Sequence, residues 1–498
     1  MLFIQKETII YPTLSYEKEA KPICELSIPK IPVNLSFTYS KDLQKTLQGR
    51  KLLLDEIPYP IEDIQVHFEN GYVRYHYGVH KEKASFHCGR CGNEKDDLFG
   101  SFLCARCQKK CVYCRKCITM GRVSQCTPLV SWAGPVDKFI YEDPLEWRGQ
   151  LSKGQQLASD ELVRSVEEKS DRLIWAVCGA GKTEVLFEGI ATALATGKYT
   201  CIATPRTDVV IELVPRLKQA FPEVNITALY GGSEDERQLT PLTVATTHQL
   251  LRFHKAFDMV VIDEVDAFPF SFEPMLKRAV EQVKRERSST IYLTATPDKE
   301  WRRKVEKKTL SAVTIPARYH GFPLPVPEFK WCGNWKKSVV KKQVPPPIST
   351  WITEKLEAKR QSFLFIPSIQ LLEEILPLLK AKYPNIEGVH SKDSFRKEKV
   401  QLFRKGEIPI LLTTTILERG VTVPKTDVAV LGADDPVFTE SALVQISGRV
   451  GRSSADPSGE ILFFHYGKTD AMVAARKQIL SMNKQASERG LLTGGQGE

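Results

Sequence analysis

No apolar run in this 498-residue chain reaches the roughly 18–20 residues a helix needs to cross a bilayer, which excludes a helical membrane protein. The opening stretch, MLFIQKETIIYP, has Lys6 and Glu7 inside its apolar run and no small-residue cleavage site, so a secretory leader is not expected. The two halves of the chain share no sequence repeat. The setting for disulfides is also missing. Of twelve cysteines, eight crowd between Cys88 and Cys126, in a chain without an export signal. Clustered thiols in a reducing compartment point to metal instead. A cytoplasmic protein is expected, with peripheral docking on a membrane left open.

The rest of the composition is that of a globular protein, with 42% hydrophobic and 26% charged residues. At roughly 100–200 residues per domain, the length suggests about three domains. The net charge of +10 serves solubility or marks a polyanionic partner, and charge alone does not separate the two.

Residues 1–85 are mixed and carry several prolines, and 86–128 hold the cysteine cluster. A connector-like stretch, SWAGPVDKFIYEDPLEW, follows at 131–147. Over 129–316, apolar runs such as LIWAVC, YTCIATP, LTVATT, MVVIDE and TIYLTAT alternate with helix-like stretches. This is the pattern of a doubly wound parallel sheet. A basic, proline-rich segment at 318–347 reads as a second connector. Alternation then resumes through QSFLFIPS, IEGVHS, IPILLTTT, DVAVLGA and GEILFFHY, giving a second sheet domain over 317–475 and a tail over 476–498. From Gly490 the tail is glycine-rich, a composition expected to be disordered.

WAVCGAGKTEVLF, from Trp175 to Phe187, leads from an apolar run through a glycine-bracketed turn into a helix-like stretch. Glycines let backbone N–H groups approach phosphates, a lysine reaches the β- and γ-phosphates, and a hydroxyl holds Mg²⁺. Gly179, Ala180, Gly181, Lys182, Thr183 and Glu184 supply this set, although the strict pattern wants glycine where Ala176 stands. About 80 residues on, MVVIDEVDAF ends an apolar strand in Asp263 and Glu264. Asp263 would share Mg²⁺ with Thr183, and Glu264 would orient the attacking water. A solvated acidic turn fits poorly behind four apolar residues. QISGRVGR adds Arg449 and Arg452, each preceded by a glycine. Arginines lent by a second sheet would make hydrolysis depend on domain closure.

The phosphate loop, DEVD, TAT (Thr294 to Thr296), TTTILERGV and QISGRVGR, in this order, resemble the superfamily 2 DExD-type helicases and translocases over roughly 150–470. The resemblance implies an α/β protein with two tandem RecA-like parallel-sheet domains. It implies that Gln155 reads adenine and that Trp147 stacks on the base. Thr204, Pro205 and Arg206, with Thr246 to Gln249, would contact a nucleic-acid strand. Two departures stand out: Thr422 where related translocases often have aspartate, and Thr294 where serine is usual.

WAVCGAGKTE, CIATPRTDVV, ALYGGS, ATTHQLL, IDEVDAFP, WCGNWKK and TTTILERGVTVPK, behind a cysteine module, are similar to the ComFA family of late-competence ATPases. That resemblance implies a DNA-dependent ATPase at the inner membrane face that drives incoming single-stranded DNA into the cytosol. Its implied company is a membrane DNA-uptake channel and a phosphoribosyltransferase-like competence protein. A homo-oligomer stays open.

CGRCGN at 88–93 reads as a zinc-knuckle turn whose CxxC puts two thiolates on one metal. The second pair is open from spacing alone, since Cys104, Cys107, Cys111, Cys114 and Cys117 all follow. The family pattern C..C … YCR.C implies Cys88, Cys91, Cys114 and Cys117 as the zinc ligands. Cys104, Cys107, Cys111 and Cys126 then form a second site, or some stay free. From Lys81 to Cys126 there are ten Lys/Arg against four Asp/Glu, so the module binds phosphate backbone or is a structural staple for a partner surface.

KWCGNWKKSVVKK interleaves Trp331 and Trp335 with five lysines, as a single-strand stacking surface would, or as a linker whose tryptophans pack down. Thr204, Arg206 and Thr413, Thr414 and Thr415 lie where strand-end loops reach a backbone spanning both sheets. Small hydroxyls there would bind phosphates without reading bases. Two other readings compete. One is a primosomal-type replication-restart or repair helicase, whose metal cysteines would lie inside the second motor half. The other is an ATP-regulated DNA-binding adaptor, which would not need the carboxylate of Glu264.

Overall fold

The computed structural model describes residues 1–13, 19–82, 85–233, 238–417 and 423–493. Two compact units emerge. One comprises Met1–Arg148, Leu162–Arg172 and Phe187–Tyr292, the other Gly149–Glu161, Leu173–Leu186 and Leu293–Glu498.

The first unit opens with strands β1 (Leu2–Lys6) and β2 (Ile9–Thr13), an antiparallel pair. β3 (Lys51–Leu53), β4 (Val73–His76), β5 (Val79–Glu82), β6 (Ser85–Cys88), β7 (Phe99–Leu103), β8 (Lys110–Cys114) and β9 (Leu129–Trp132) follow. They form one three-stranded sheet, β3-β9-β4, and two hairpins, β5-β6 and β7-β8. Phe3, Leu43, Leu52, Phe68, Val73 and Val130 build a hydrophobic core in this region, ahead of the first strand of the large parallel sheet. Ser131 and Trp132, expected to open a connector, instead end β9.

The first large sheet is built from β10 (Arg172–Ala176), β11 (Thr200–Thr204), β12 (Ile226–Leu229), β13 (Leu242–Thr246), β14 (Phe257–Ile262), β15 (Lys284–Thr294) and β16 (Ser311–Ile315). Their order is β12-β13-β11-β14-β15-β10-β16. The ladders β12–β13, β13–β11, β11–β14 and β14–β15 are all parallel. Every residue of β11 and β13 is buried, as expected of strands covered on both faces by helices.

The second sheet consists of β17 (Glu328–Trp331), β18 (Gln361–Phe365), β19 (Glu387–Val389), β20 (Ile410–Thr413), β21 (Thr426–Leu431) and β22 (Ile461–His465), in the order β17-β22-β21-β18-β20-β19 and parallel throughout. Several of its helices begin at side-chain caps. Ser368 accepts from Leu371 N–H ahead of helix Ile369–Lys380, and Thr439 from Ala442 N–H ahead of helix Glu440–Ser447. The basic connector is partly structured, because β17 and helix Trp335–Val340 lie inside it. Trp335 packs down into the core and donates to Asp434 Oδ1 at 3.0 Å, whereas Trp331 is 65% exposed. The fold is thus two parallel-sheet RecA-like domains behind a cysteine-bearing N-terminal region.

Candidate nucleotide site and cysteine module

In the second unit, β10 ends at Ala176 and the chain turns back, with Ala180 N–H donating to Val177 C=O at 3.1 Å. Gly179 and Gly181 take φ of 80° and 71°, which only glycine adopts without strain. A side chain at 181 would also strike Gln155 Nε2 at 2.4 Å. Lys182 and Thr183 open helix Lys182–Val185. Lys182 has no hydrogen-bond or ion-pair partner among the described residues. Gln155 is buried; its Oε1 accepts from Ser152 N–H at 2.8 Å and its Nε2 donates to Gly181 C=O at 3.4 Å.

The arginine-bearing turn lies against this loop within the same unit. Cys178 Sγ donates to Gln445 Oε1 at 3.1 Å. A Cβ built on Gly448 would fall 2.3 Å from Cys178 Cβ, so the approach requires glycine. Arg449 is buried, and Arg452 Nε donates to Gly448 C=O at 2.8 Å. Thr294 and Thr296 join the cluster. Thr296 N–H bonds Thr294 Oγ1 at 2.9 Å, and Thr296 Oγ1 meets Ser441 Oγ at 2.8 Å.

In the first unit, the parallel register sets Thr204 opposite Thr246, and Asp263 N–H donates to Ala203 C=O at 2.8 Å. Thr204, Thr246, Asp263 and Glu264 therefore share the carboxyl edge of the sheet, where ligands bind in open α/β folds. Glu264 has φ of 55°, a left-handed conformation costly for a residue with a side chain, and its N–H bonds Asp263 Oδ1 at 2.8 Å. Thr204 is fully buried and Thr246 nearly so. Arg206 is gripped bidentately by Asp208 at 3.2 and 3.0 Å. Trp147 meets Phe187 edge-on at 5.5 Å. On the second sheet, Thr413 is buried and donates to Thr414 C=O at 3.2 Å, Thr414 is nearly buried, and Thr415 is half-exposed. Glu418 to Thr422, and the glycine-rich end beyond Thr493, lie outside the described residues.

The cysteine module, also in the first unit, brings Cys88, Cys91, Cys114 and Cys117 together with all four buried. The Sγ separations are 3.7 Å for Cys88–Cys117 and 3.6 Å for Cys91–Cys114. A tetrahedral thiolate site with Zn–S of about 2.3 Å has edges of about 3.8 Å, so the set fits zinc. Cys117, then Cys88 and Cys91, hold the Cys114 thiol well below its ordinary range. The ligand loops lean on the segment after the acidic motif. Lys116 pairs with Glu273 at 3.0 Å, and Glu94 with Arg278 at 3.4 Å.

Three family descriptions match in chain order: competence protein ComFA N-terminal domain over 34–131, DEAD/DEAH box helicase over 152–304, and helicase conserved C-terminal domain over 347–454. The competence protein ComFA of Bacillus subtilis (strain 168) is 48% identical over 92% of this chain and 98% of its own length. The chain belongs to the ComFA family. The Streptococcus pneumoniae (strain ATCC BAA-255 / R6) competence protein ComFA is 40% identical over 82% of this chain and 93% of its own. Among solved structures, S. cerevisiae Dbp5 bound to RNA and ADP BeF3 aligns with TM-score 0.50 at 15% identity, covering 69% of this chain and 94% of Dbp5. That likeness concerns the fold alone. Membership makes the chain a helicase-like, ATP-dependent enzyme of competence. No helix among its described residues is long and apolar enough to cross a membrane.

One residue at the loop carried no signal in the sequence. Arg318 is 1% exposed, and its aliphatic stem lies 3.6 Å from where a Gly179 Cβ would be. Its Nη1 donates to Gly451 C=O, while Nε and Nη2 are buried without a hydrogen-bond partner. Burial, then the like charge of Arg452, push it down to about 10. Two orphaned cationic donors beside a phosphate loop suit a polyanion, so the residues present fit a nucleotide triphosphate.

Proposed function

We propose that this chain is an ATP-driven single-stranded DNA translocase that helps bring transforming DNA into the cytosol during natural competence. One observation carries the reading. Phosphate loop, Thr294–Thr296 and the Gln445–Arg452 turn gather in one unit around the unpartnered donors of Arg318. Gly179, Ala180 and Gly181 offer backbone N–H groups to the phosphates, Lys182 neutralises them, and Glu184 lies in the same turn. By family resemblance, Thr183 and Asp263 would hold Mg²⁺, which would neutralise charge on the transferring phosphoryl group. Glu264 orients the attacking water, and Arg449 and Arg452 stabilise transition-state charge. Gln155 exchanges its bond to the loop for the adenine edge.

Arg206 and Thr246 on the first sheet, and Thr414 and Thr415 on the second, grip the strand backbone through its phosphates. Thr204 and Thr413 lie buried at the same strand ends. Cys88, Cys91, Cys114 and Cys117 would hold zinc, which would fix the module that leans on Glu273 and Arg278. The module's basic excess supports DNA backbone contact. By family resemblance, the partners are a membrane DNA-uptake channel and a phosphoribosyltransferase-like competence protein, and the working place is the inner membrane face.

Anisotropy of a labelled single-stranded oligonucleotide, titrated with the Glu264→Gln protein and ATP at several salt concentrations, tests the grip. Affinity should fall log-linearly with salt, with a slope of roughly 0.7 per phosphate neutralised, and should not depend on base sequence. Salt-independent or base-specific binding would remove the backbone-grip mechanism.

A further inference from the structure

Cys104, Cys107, Cys111 and Cys126 form a second cluster. All four are buried, with their Sγ atoms within 4.8 Å of one another. We infer that this cluster is a second structural zinc site, separate from the first, which fastens the N-terminal strand pair to the tip of hairpin β7-β8. The inference does not rest on the motor reading.

Two features beyond proximity support it. The first is backbone geometry. In the knuckle that begins at Cys88, Cys88 N–H donates to Asn93 C=O at 3.0 Å, Gly92 N–H donates to Cys88 C=O at 2.8 Å, and Gly92 has φ of 66°. The loop at Cys104 repeats this residue by residue. Cys104 N–H donates to Lys109 C=O at 3.1 Å, Gln108 N–H donates to Cys104 C=O at 2.8 Å, and Gln108 has φ of 55°. CARCQK thus adopts the turn of CGRCGN, with Gln108 in the left-handed conformation that Gly92 takes. The turn aims two thiols at one point.

The second feature is strand alternation. Cys111 and Cys114 both lie on β8, three residues apart. Residues an odd number apart face opposite sides of a strand, and three steps span about 10 Å. Cys111 therefore cannot join the site of Cys114, and it faces the set with Cys126. The ligands interleave along the chain: Cys88 and Cys91, then Cys104, Cys107 and Cys111, then Cys114 and Cys117, then Cys126. Each metal closes a loop that contains ligands of the other, which ties the two sites into one folding unit.

The second site has a definite mechanical position. Leu2 of β1, Ala20 and Phe102 pack on its sulfurs. The Met1 amino group donates to Cys126 C=O at 3.3 Å, and Lys109 pairs with Glu25 at 3.4 Å. All eight cysteines are free thiols. A buried, tetrahedral all-sulfur set suits zinc, or iron as the competing ion.

Metal content of the full chain, purified without chelator and with thiols kept reduced, is the test. The expected result is two zinc ions per chain, with release of both when all eight thiols are titrated by a mercurial reagent. Cys104→Ser with Cys111→Ser should retain one zinc and make the segment before Cys24 sensitive to protease. One zinc in the wild type would overturn the inference. So would iron as the second ion, or a mass deficit of a disulfide across the second set after alkylation in denaturant. The wild-type stoichiometry decides the matter even if the double variant does not fold.

Discussion

Gly448→Ala puts a methyl group where the arginine-bearing turn meets the phosphate loop. Its Cβ would lie 2.3 Å from Cys178 Cβ and 2.7 Å from Cys178 Sγ. Carbon atoms rest at roughly 3.5–4.0 Å, so the two segments must part by about 1.2–1.7 Å. Arg449 and Arg452 ride on the displaced segment. A misplacement of about 1 Å in a positioned catalytic group costs on the order of 10²-fold in rate, or about 2.7 kcal/mol. Turnover of saturating ATP should fall by about that factor, while affinity for a fluorescent ATP analogue changes little, because the loop itself is intact. Cys178→Gly removes both clashing atoms, so the double variant should recover most of the rate. Gly448→Ala turning over like wild type, or no recovery in the double variant, would refute the contact as a determinant of turnover.

Other consequences follow from the same geometry. Glu56 accepts from Arg90, whose side chain is wholly buried, and from Arg252. Glu56→Gln should therefore cost about 3 kcal/mol in a denaturant transition of the first unit, whereas Glu25→Gln at the exposed Lys109 pair should cost under about 1 kcal/mol. Burial, then the Lys51 charge, push His76 and His254 down to about 3. Their folded values lie below the unfolded value, so the stability they contribute is full above about pH 6.5 and is lost as pH falls toward 3, by up to about 1.4 kcal/mol per unit for each. A denaturant midpoint equal at pH 7.5 and 5.5 would contradict this, and His254→Asn should weaken the dependence. Arg318→Met should leave the nucleotide-free second unit as stable or more so, since it removes a buried charge with two orphaned donors, yet it should shrink the ATP-induced rise in melting temperature. A purely structural arginine would lower both.

The strands of both sheets were legible because a parallel sheet writes its buried strands as apolar runs, and LTVATT, MVVIDE and DVAVLGA became β13, β14 and β21. The glycines of the loop were legible because positive φ leaves few alternatives. β17 was not, since prolines and lysines surround a four-residue edge strand with three exposed positions and no alternation to read. Arg318 was not, because a single arginine becomes informative only once the Gly451 carbonyl and the loop close on it. The division of eight cysteines between two clusters was equally hidden. CxxC spacing allows several pairings, and the fact that separates Cys111 from Cys114 is the alternation of β8.

In the proposed function, nucleotide turnover serves a single DNA strand. The most direct measurement is steady-state ATP hydrolysis by the full chain, at one salt concentration, against increasing lengths of single-stranded DNA, with duplex DNA and RNA of the same lengths alongside and Glu264→Gln as the inactive control. Stimulation should grow with single-strand length and then saturate, with duplex and RNA well below it, and Thr246→Ala plus Arg206→Ala should lower the stimulation while ATP binding stays near normal. Equal stimulation by all three nucleic acids, or none by single-stranded DNA, would contradict it.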